Sequence, residues 1–282
     1  MSLSINNFLN TILYKISRST LLRNNKYKNI HKGESCYIFG NGASIKYFDL
    51  EQFNDRIVIG CGLLFLHKDF KKLNTRYYYT GHPFFYYPYW TNPYSLSFER
   101  NAMGPIYKSN IYKNSHIDYF VSLTNYFGIS GNNINFVYHF NEPFNATDGW
   151  DLSNKFSYSE GSLTSMIAIA LFMGFETITL VGCDYAASPI LWGHFYEYGK
   201  RPPRESDAGT YAEKALSFAN QKSKLFTVTI DTKYKGDIVK EINYKELTNM
   251  EIKYKENYEL VDQSDLLELN KTSMEYRIFP EK

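Results

Sequence analysis

The chain has 282 residues, enough for one large α/β domain or two small ones with a sizeable core. Charged residues make up 21% and hydrophobic residues 44%, as in an ordinary globular protein, and a formal net charge of +2 supplies no global field to attract nucleic acid. Aromatic residues are the outlier at 18%, and two readings of them stay open: a compositional bias that also enriches Asn, Lys and Ile, and a ligand-facing role.

In chain order, the N-terminal segment is amphipathic. Ile5, Phe8, Leu9, Ile12, Leu13 and Ile16 recur at helical spacing, with Lys15, Arg18, Arg23, Lys26 and Lys28 beside and after them. Residues 1–32 read as a helix and linker that docks on its own domain or a sister subunit, or lies on an anionic membrane surface. Ser35–Phe39 is a short apolar strand running into Gly40-Asn41-Gly42-Ala43-Ser44. Ser44–Phe53 reads as a helix or turn, Arg56–Gly62 as a second buried strand and Tyr77–Thr80 as a third. His82–Pro93 is rich in aromatic residues and proline. Residues 95–158 read as irregular and polar, with short strands at Ile117–Ser122 and Ile134–His139.

Gly161–Gly174 is the clearest helix. It is apolar almost all round and therefore buried, with Ser162 placed to cap it and Gly174 to close it. The strand Thr177–Val181 follows and runs into Gly182-Cys183-Asp184-Tyr185, half of a parallel-sheet crossover. Residues 186–209 read as a long aperiodic loop. A helix over Tyr211–Lys222 and a strand over Leu225–Ile230 come next, then a charged tail with helical patches at Tyr244–Thr248 and Asp265–Leu269. The expected organisation is one α/β domain over residues 33–248, with lid-like segments at about 82–158 and 186–209 and a tail over 249–282. Cys36, Cys61 and Cys183 form no CxxC pair and read as small buried residues in a reducing compartment. With no run of 18 apolar residues, a cytoplasmic location is expected.

A buried strand that stops at glycine leaves backbone N–H groups open at its carboxyl end, where open α/β sheets bind nucleotides. Gly40 and Gly42 allow close approach of a ligand, Asn41 offers an amide, and Ser44 adds a hydroxyl. Together they suit a phosphate or ribose; the plainer reading is a strand-to-helix turn. The pattern is not GxGxxG and no GKS/T follows, which argues against a dinucleotide enzyme and a P-loop NTPase. Asp184 ends its strand and can bind a ligand hydroxyl or hold a neighbouring loop. In Trp192-Gly193-His194-Phe195-Tyr196-Glu197-Tyr198, His194 suits general-base work near neutral pH, or is simply a satisfied surface or interface histidine. Tyr196 and Tyr198 can donate hydrogen bonds to a leaving phosphate. Asp184 has no second aspartate in a DxD arrangement, so no metal and no bound cofactor are expected.

Tyr37-Ile38-Phe39-Gly40-Asn41-Gly42-Ala43-Ser44-Ile45-Lys46 with Asp49-Leu50 resembles the opening block of the Cst-type bacterial CMP-sialic-acid-dependent sialyltransferases and their MptE-like and motility-accessory-factor relatives. Gly161–Met166 through Met173–Glu176 to Leu180–Tyr185 is similar to their second shared block, and Val239–Leu247 to a tail segment. The resemblance implies a Rossmann-like (GT-A-like) α/β fold, with a mostly parallel sheet, helices on both faces and a lid-like insertion. It implies a metal-independent, inverting glycosyltransferase that takes a nucleotide sugar, CMP-activated by preference, and a cell-surface glycan acceptor. It sets Gly40, Asn41, Gly42 and Ser162 against the nucleotide, with Ser44, Gly161 and Asp184 beside them. His194 becomes the base, and Tyr185, Tyr196 and Tyr198 the groups at the leaving phosphate. Three positions depart from the pattern: Ala43 replaces a proline, Gly62 stands where the next strand carries an asparagine, and the loop before His194 is shorter. Two further readings on the same fold are an MptE-like pyrophosphate-transferring enzyme and an inactive nucleotide- or carbohydrate-binding protein.

Overall fold

A computed structural model describes residues 12, 14–86, 97–139, 150–156, 161–186, 190–200, 203–204, 208–230, 238–272 and 276–280. Among the described residues, eleven strands are formed: β1 (Ser35–Phe39), β2 (Ile57–Cys61), β3 (Thr75–Thr80), β4 (Asp118–Ser122), β5 (Ile134–His139), β6 (Lys155–Phe156), β7 (Thr177–Val181), β8 (Ile190–Leu191), β9 (Pro203–Arg204), β10 (Lys224–Thr229) and β11 (Lys240–Asn243). Nine of them form one sheet in the order β11-β10-β7-β1-β2-β3-β4-β5-β6, and every pairing in it is parallel. The short β8 and β9 pair separately and antiparallel. The helices are α1 (residues 14–22), α2 (Ser97–Lys113), α3 (Ser162–Met173), α4 (Ala208–Lys222), α5 (Tyr244–Thr248), α6 (Asn257–Leu260) and α7 (Gln263–Thr272).

Alternation along the strands divides two cores, as the period of two demands. Cys36, Ile38, Ile57, Ile59, Tyr77, Tyr79, Ile178 and Leu180 face one side, where they pack with α3 and α4. Tyr37, Phe39, Val58, Tyr78, Tyr119 and Val121 face the other, against α2, α5, α6, α7 and four 3-10 turns (Ala43–Tyr47, Leu50–Phe53, Leu64–Leu66 and Phe70–Lys72). The fold is thus a Rossmann-like α/β sandwich with helices on both faces of a parallel sheet. Much of the aromatic excess is core: Tyr37, Phe39, Tyr78, Tyr119 and Phe120 are fully or almost fully buried.

The structure takes the turn alternative for Ser44–Phe53 and differs from the sequence reading in two other places. Ser44–Phe53 forms two 3-10 turns, Ala43–Tyr47 and Leu50–Phe53, the second capped by Asp49. Within 95–158, read as irregular, α2 spans 17 residues although it contains Pro105. Met103, Tyr107 and Ile111 recur every four residues and sink into the second core, so tertiary packing overrides the Gly104-Pro105 turn signal. The tail from 249 onward packs into the same core through Leu260, Val261, Leu266, Leu269 and Ile278. The segments read as lids fall partly on 87–96, 140–149, 157–160, 187–189, 201–202 and 205–207, outside the described residues.

From β1 the chain moves one way through β2 to β6. It then returns through α3 to β7 on the other side of β1 and continues to β10 and β11. The β1/β7 boundary is therefore the topological switch point, where the carboxyl ends of strands open a crevice. Ile38 pairs with Ile59 and Leu180 at the middle of this region and is fully buried. Ile38→Ala is expected to lower stability by about 2–5 kcal/mol, read as a lower denaturation midpoint at an unchanged m-value.

Candidate functional site at the switch point

The two glycine turns meet at the switch point. Gly40 N–H donates to Val181 O (2.9 Å) and Gly42 N–H donates to Gly182 O (2.8 Å). Both amides, read from sequence as open to a ligand, are therefore occupied within the fold, because two adjacent strand ends at this spacing continue to pair. The Asn41 side chain is occupied too. Its Nδ2 donates to Cys61 O (3.1 Å), and its Oδ1 accepts from Leu63 N–H (2.9 Å), so it fastens the end of β2 to the end of β1. This geometry explains Gly62. Its φ is +59°, and a Cβ there would collide with Asn41 Nδ2 and stand 2.9 Å from Asn41 Cγ.

Asp184 is buried directly against Gly42. A Cβ on residue 42 would collide with its Oδ2 and lie 2.6 Å from Gly182 O. Asp184 Oδ2 accepts the Ser44 N–H (2.8 Å), which caps the 3-10 turn that follows Gly42. Burial pushes the Asp184 carboxyl up to about 6, against the downward pull of the Ser44 hydroxyl and amide and of His194. Ser44 is itself buried. Asp184 and Ser44 thus hold the two turns together from inside.

The loop bearing His194 lies over this floor. Phe195 N–H donates to Asn41 O (3.0 Å), and Gly42 and His194 form an antiparallel bridge. His194 is a third exposed. Its Nδ1 lies 2.8 Å from Oε1 of Glu197, which is buried, and its backbone N–H donates to the same oxygen at 3.2 Å. The ring stacks on Tyr196 (centroids 5.0 Å, planes 9° apart) and meets Tyr276 edge-on at 5.5 Å. Tyr196 is buried, and burial together with its neighbour Tyr276 raises its phenol well above the ordinary value. It serves as a platform beneath the imidazole, not as a hydroxyl open to solvent.

The remaining candidates spread around this centre. Tyr185 is 40% exposed and meets the equally exposed Trp192 at 5.5 Å; burial, then the charges of Asp184 and Glu197, raise its phenol. Tyr198 turns toward the C-terminal segment, where its N–H donates to Arg277 O (2.6 Å). Gly161 and Ser162 open α3, with Gly161 as the N-cap residue; Ser162, read as the cap, is the first helical residue. The Ser162 hydroxyl stands beside the Cys61 thiol, which places the start of α3 at the end of β2. That first turn carries N–H groups with no partner inside the helix, and the positive end of its dipole. The three cysteines are buried and free, and burial drives the Cys61 thiol up to about 12, so it is no nucleophile at neutral pH.

Sequence reasoning missed Glu197 and Tyr276. The His-x-x-Glu spacing was a local signal for the first. Tyr276, more than 80 residues further along the chain, gave none. The C-terminal segment reaches the site through an ion pair between the buried Lys46 and the half-buried Glu256: Lys46 Nζ donates to Glu256 Oε1 (3.0 Å) and to Gly199 O (2.9 Å). Burial would raise the Glu256 carboxyl, but hydrogen bonds from Asn257, Lys46, Gly199 and Tyr254 hold it below its ordinary value. Among the described residues, no group of three His, Cys, Asp or Glu side chains gathers as a metal site, and no helix is long and apolar enough to cross a membrane.

No protein-family profile matches the chain, and no curated protein does. Among solved structures, the chain is similar to the MAf glycosyltransferase from Magnetospirillum magneticum AMB-1, with a TM-score of 0.43 and 12% identity. That likeness covers 92% of this chain and 42% of the other, so the chain spans less than half the length of that protein. It is also similar to the sialyltransferase CstII from Campylobacter jejuni. The structure of CstII with cytidine-5'-monophosphate gives a TM-score of 0.43 at 16% identity, covering 86% of this chain and 99% of that one. The structure with CMP-3FNeuAc gives 0.40 at 16% identity, covering 84% and 99%.

Two predictions test the floor of the site. Gly62→Asn is expected to destabilise the protein, and Asn41→Ala is expected to restore part of the loss, because the two side chains compete for one space. A double-mutant cycle of unfolding free energies reads the coupling; additive losses would show that Asn41 does not set residue 62. The second concerns pH. The folded Asp184 keeps its proton up to about 6, whereas the unfolded residue releases it near 3.8. Stability conferred by the protonated form is therefore lost as pH rises through that window, by up to ~3 kcal/mol. Asp184→Asn removes this decline, so the wild-type and variant stability curves diverge between pH 4 and 7. Parallel curves would contradict the burial argument.

Proposed function

We propose that the protein is a glycosyltransferase that moves a sugar from a nucleotide sugar, CMP-activated by preference, to a hydroxyl of a surface glycan. The observation that carries this reading is an imidazole, held by a buried carboxylate, at the switch point of an open parallel sheet. The sequence blocks on β1 and β7 that resemble the CMP-sialic-acid-dependent enzymes support the choice of donor. His194 removes the proton of the acceptor hydroxyl. The acceptor oxygen bonds to the anomeric carbon as the bond from that carbon to the phosphate oxygen breaks, and the nucleotide leaves with the bonding pair. Direct displacement with one base and no nucleophile inverts the anomeric centre.

With the Gly40 and Gly42 amides occupied, the first turn of α3, at Gly161 and Ser162, is the better candidate to receive the phosphate. Tyr185 and Trp192, exposed beside the base, suit the acceptor. For α1, contact with an anionic membrane surface fits an Ile16 side chain that is 73% exposed, while Leu21 anchors the helix to the domain.

A thermal-shift screen of nucleotides and nucleotide sugars tests the donor site, since binding to the native state raises Tm. Cytidine nucleotides are expected to give the largest rise, and His194→Ala is expected to keep it. Turnover of the selected donor should fall roughly 10²–10⁴-fold in that variant. No shift with any nucleotide, or a near wild-type rate without His194, would defeat the proposal.

A further inference from the structure

We infer that Glu197 is the positioning residue of the site. It holds His194 as the tautomer protonated on Nδ1, so that Nε2 carries the free lone pair and is the atom that accepts a proton. The chemical consequence rests on the transferase reading above; the tautomer does not.

Four observations converge on this assignment. Glu197 Oε1 lies 2.8 Å from His194 Nδ1, and its side chain is only 8% exposed. A neutral imidazole carries one proton, and a carboxylate can only accept, so the proton on the ring belongs on Nδ1. The same oxygen accepts the His194 backbone N–H at 3.2 Å, which fixes the carboxylate relative to the ring's own Cα. Finally, Tyr196 stacks on one face and Tyr276 meets the ring edge-on, so rotation of the imidazole to present Nε2 to Glu197 is opposed on two sides. The Glu197 N–H in turn donates to His194 O (3.1 Å), closing a three-residue loop in which acid and imidazole face each other by construction.

The titratable groups that face His194 are Glu197 on its own loop, Asp184 from the end of β7, Tyr196 beneath it and Tyr276 from the C-terminal segment. Asp184 is engaged with Ser44 N–H, and Tyr196 and Tyr276 share a hydrogen bond. Among the described residues, Glu197 alone has a hydrogen bond to the ring. When Nε2 takes the acceptor proton, the imidazolium that forms lies against the Glu197 carboxylate, which stabilises the charge. The proton then passes from Nε2 to water, and Glu197 stays ionised throughout.

The experiment is long-range proton–nitrogen correlation NMR on the full chain with nitrogen-15 histidine, with the His194 signals assigned by their loss in His194→Ala. In the wild type at neutral imidazole, Nδ1 is expected to be protonated and Nε2 bare. In Glu197→Leu the ring is expected to shift to the Nε2-protonated form. In Glu197→Gln, which keeps the size of the side chain and so the fold, the Nδ1 proton resonance is expected to move upfield as its acceptor loses charge. A wild-type ring protonated on Nε2 overturns the inference whatever the variants do, and so does an Nδ1 proton that Glu197→Gln leaves unmoved. With a donor identified, Glu197→Leu should lower kcat by roughly 10²-fold while the KM for donor changes little; equal loss in both would indicate a collapsed loop. If the tautomer is as expected and no nucleotide sugar is consumed, the transferase proposal fails and the role of Glu197 toward His194 stands.

Discussion

The bond from Gly42 N–H to Gly182 O is the constraint on which the site depends. It carries pairing between β1 and β7 past the end of the sheet and fixes how far apart the two turns lie. It requires a residue without Cβ at position 42, because Asp184 and the Gly182 carbonyl occupy that volume. With the turns locked, Ser44 N–H is presented to Asp184, and Asn41 O is presented to Phe195 N–H. The His194 loop is thus attached to a floor made almost entirely of backbone, which side-chain rotation cannot loosen. A switch point in an open sheet is otherwise a place where strands diverge and water enters. Here the divergence begins only after the second glycine.

A second device closes the structure from outside. Lys46 follows the first turn, Gly199 ends the His194 loop, and Glu256 belongs to the C-terminal segment; one largely desolvated ion pair joins all three. Such a pair adds little net stability against a well-packed apolar substitute, because desolvation of both charges offsets their attraction. Its value is geometric. Asn257 extends the joint by donating to Tyr196 O and Ile278 O, which brings Tyr276 to the edge of the imidazole. The C-terminal segment is therefore a wall of the site and not an appendage.

What the sequence revealed follows what is local in the chain. Ser35–Phe39 and Thr177–Val181 were readable because strands buried on both faces are continuous apolar runs, and α3 because it is apolar all round. The two glycine turns marked the switch point correctly. Their amides were misread because a glycine after a strand signals backbone freedom, whereas a partner at 2.8 Å across the sheet can be known only from the topology. Helix α2 was lost for the same reason: Gly104-Pro105 is a turn signal within the segment, and the burial of Met103, Tyr107 and Ile111 lies outside it. Glu197 could have been read from its spacing to His194, but Tyr276 could not, since only folding brings it to the ring.

Asn41 and Gly62 show how one side chain constrains its neighbour. In this chain Asn41 reaches across to the carbonyl of Cys61 and the amide of Leu63, and its Nδ2 fills the space that a side chain on residue 62 would need. With φ at +59° and Asn41 Nδ2 beside it, position 62 favours glycine. The first turn of α3 abuts the end of β2 through Ser162 and Cys61, and its N–H groups point along the helix axis away from their own carbonyls. At this corner of the crevice the hydrogen-bond donors without a partner inside their own element belong to the first turn of α3, a rigid element.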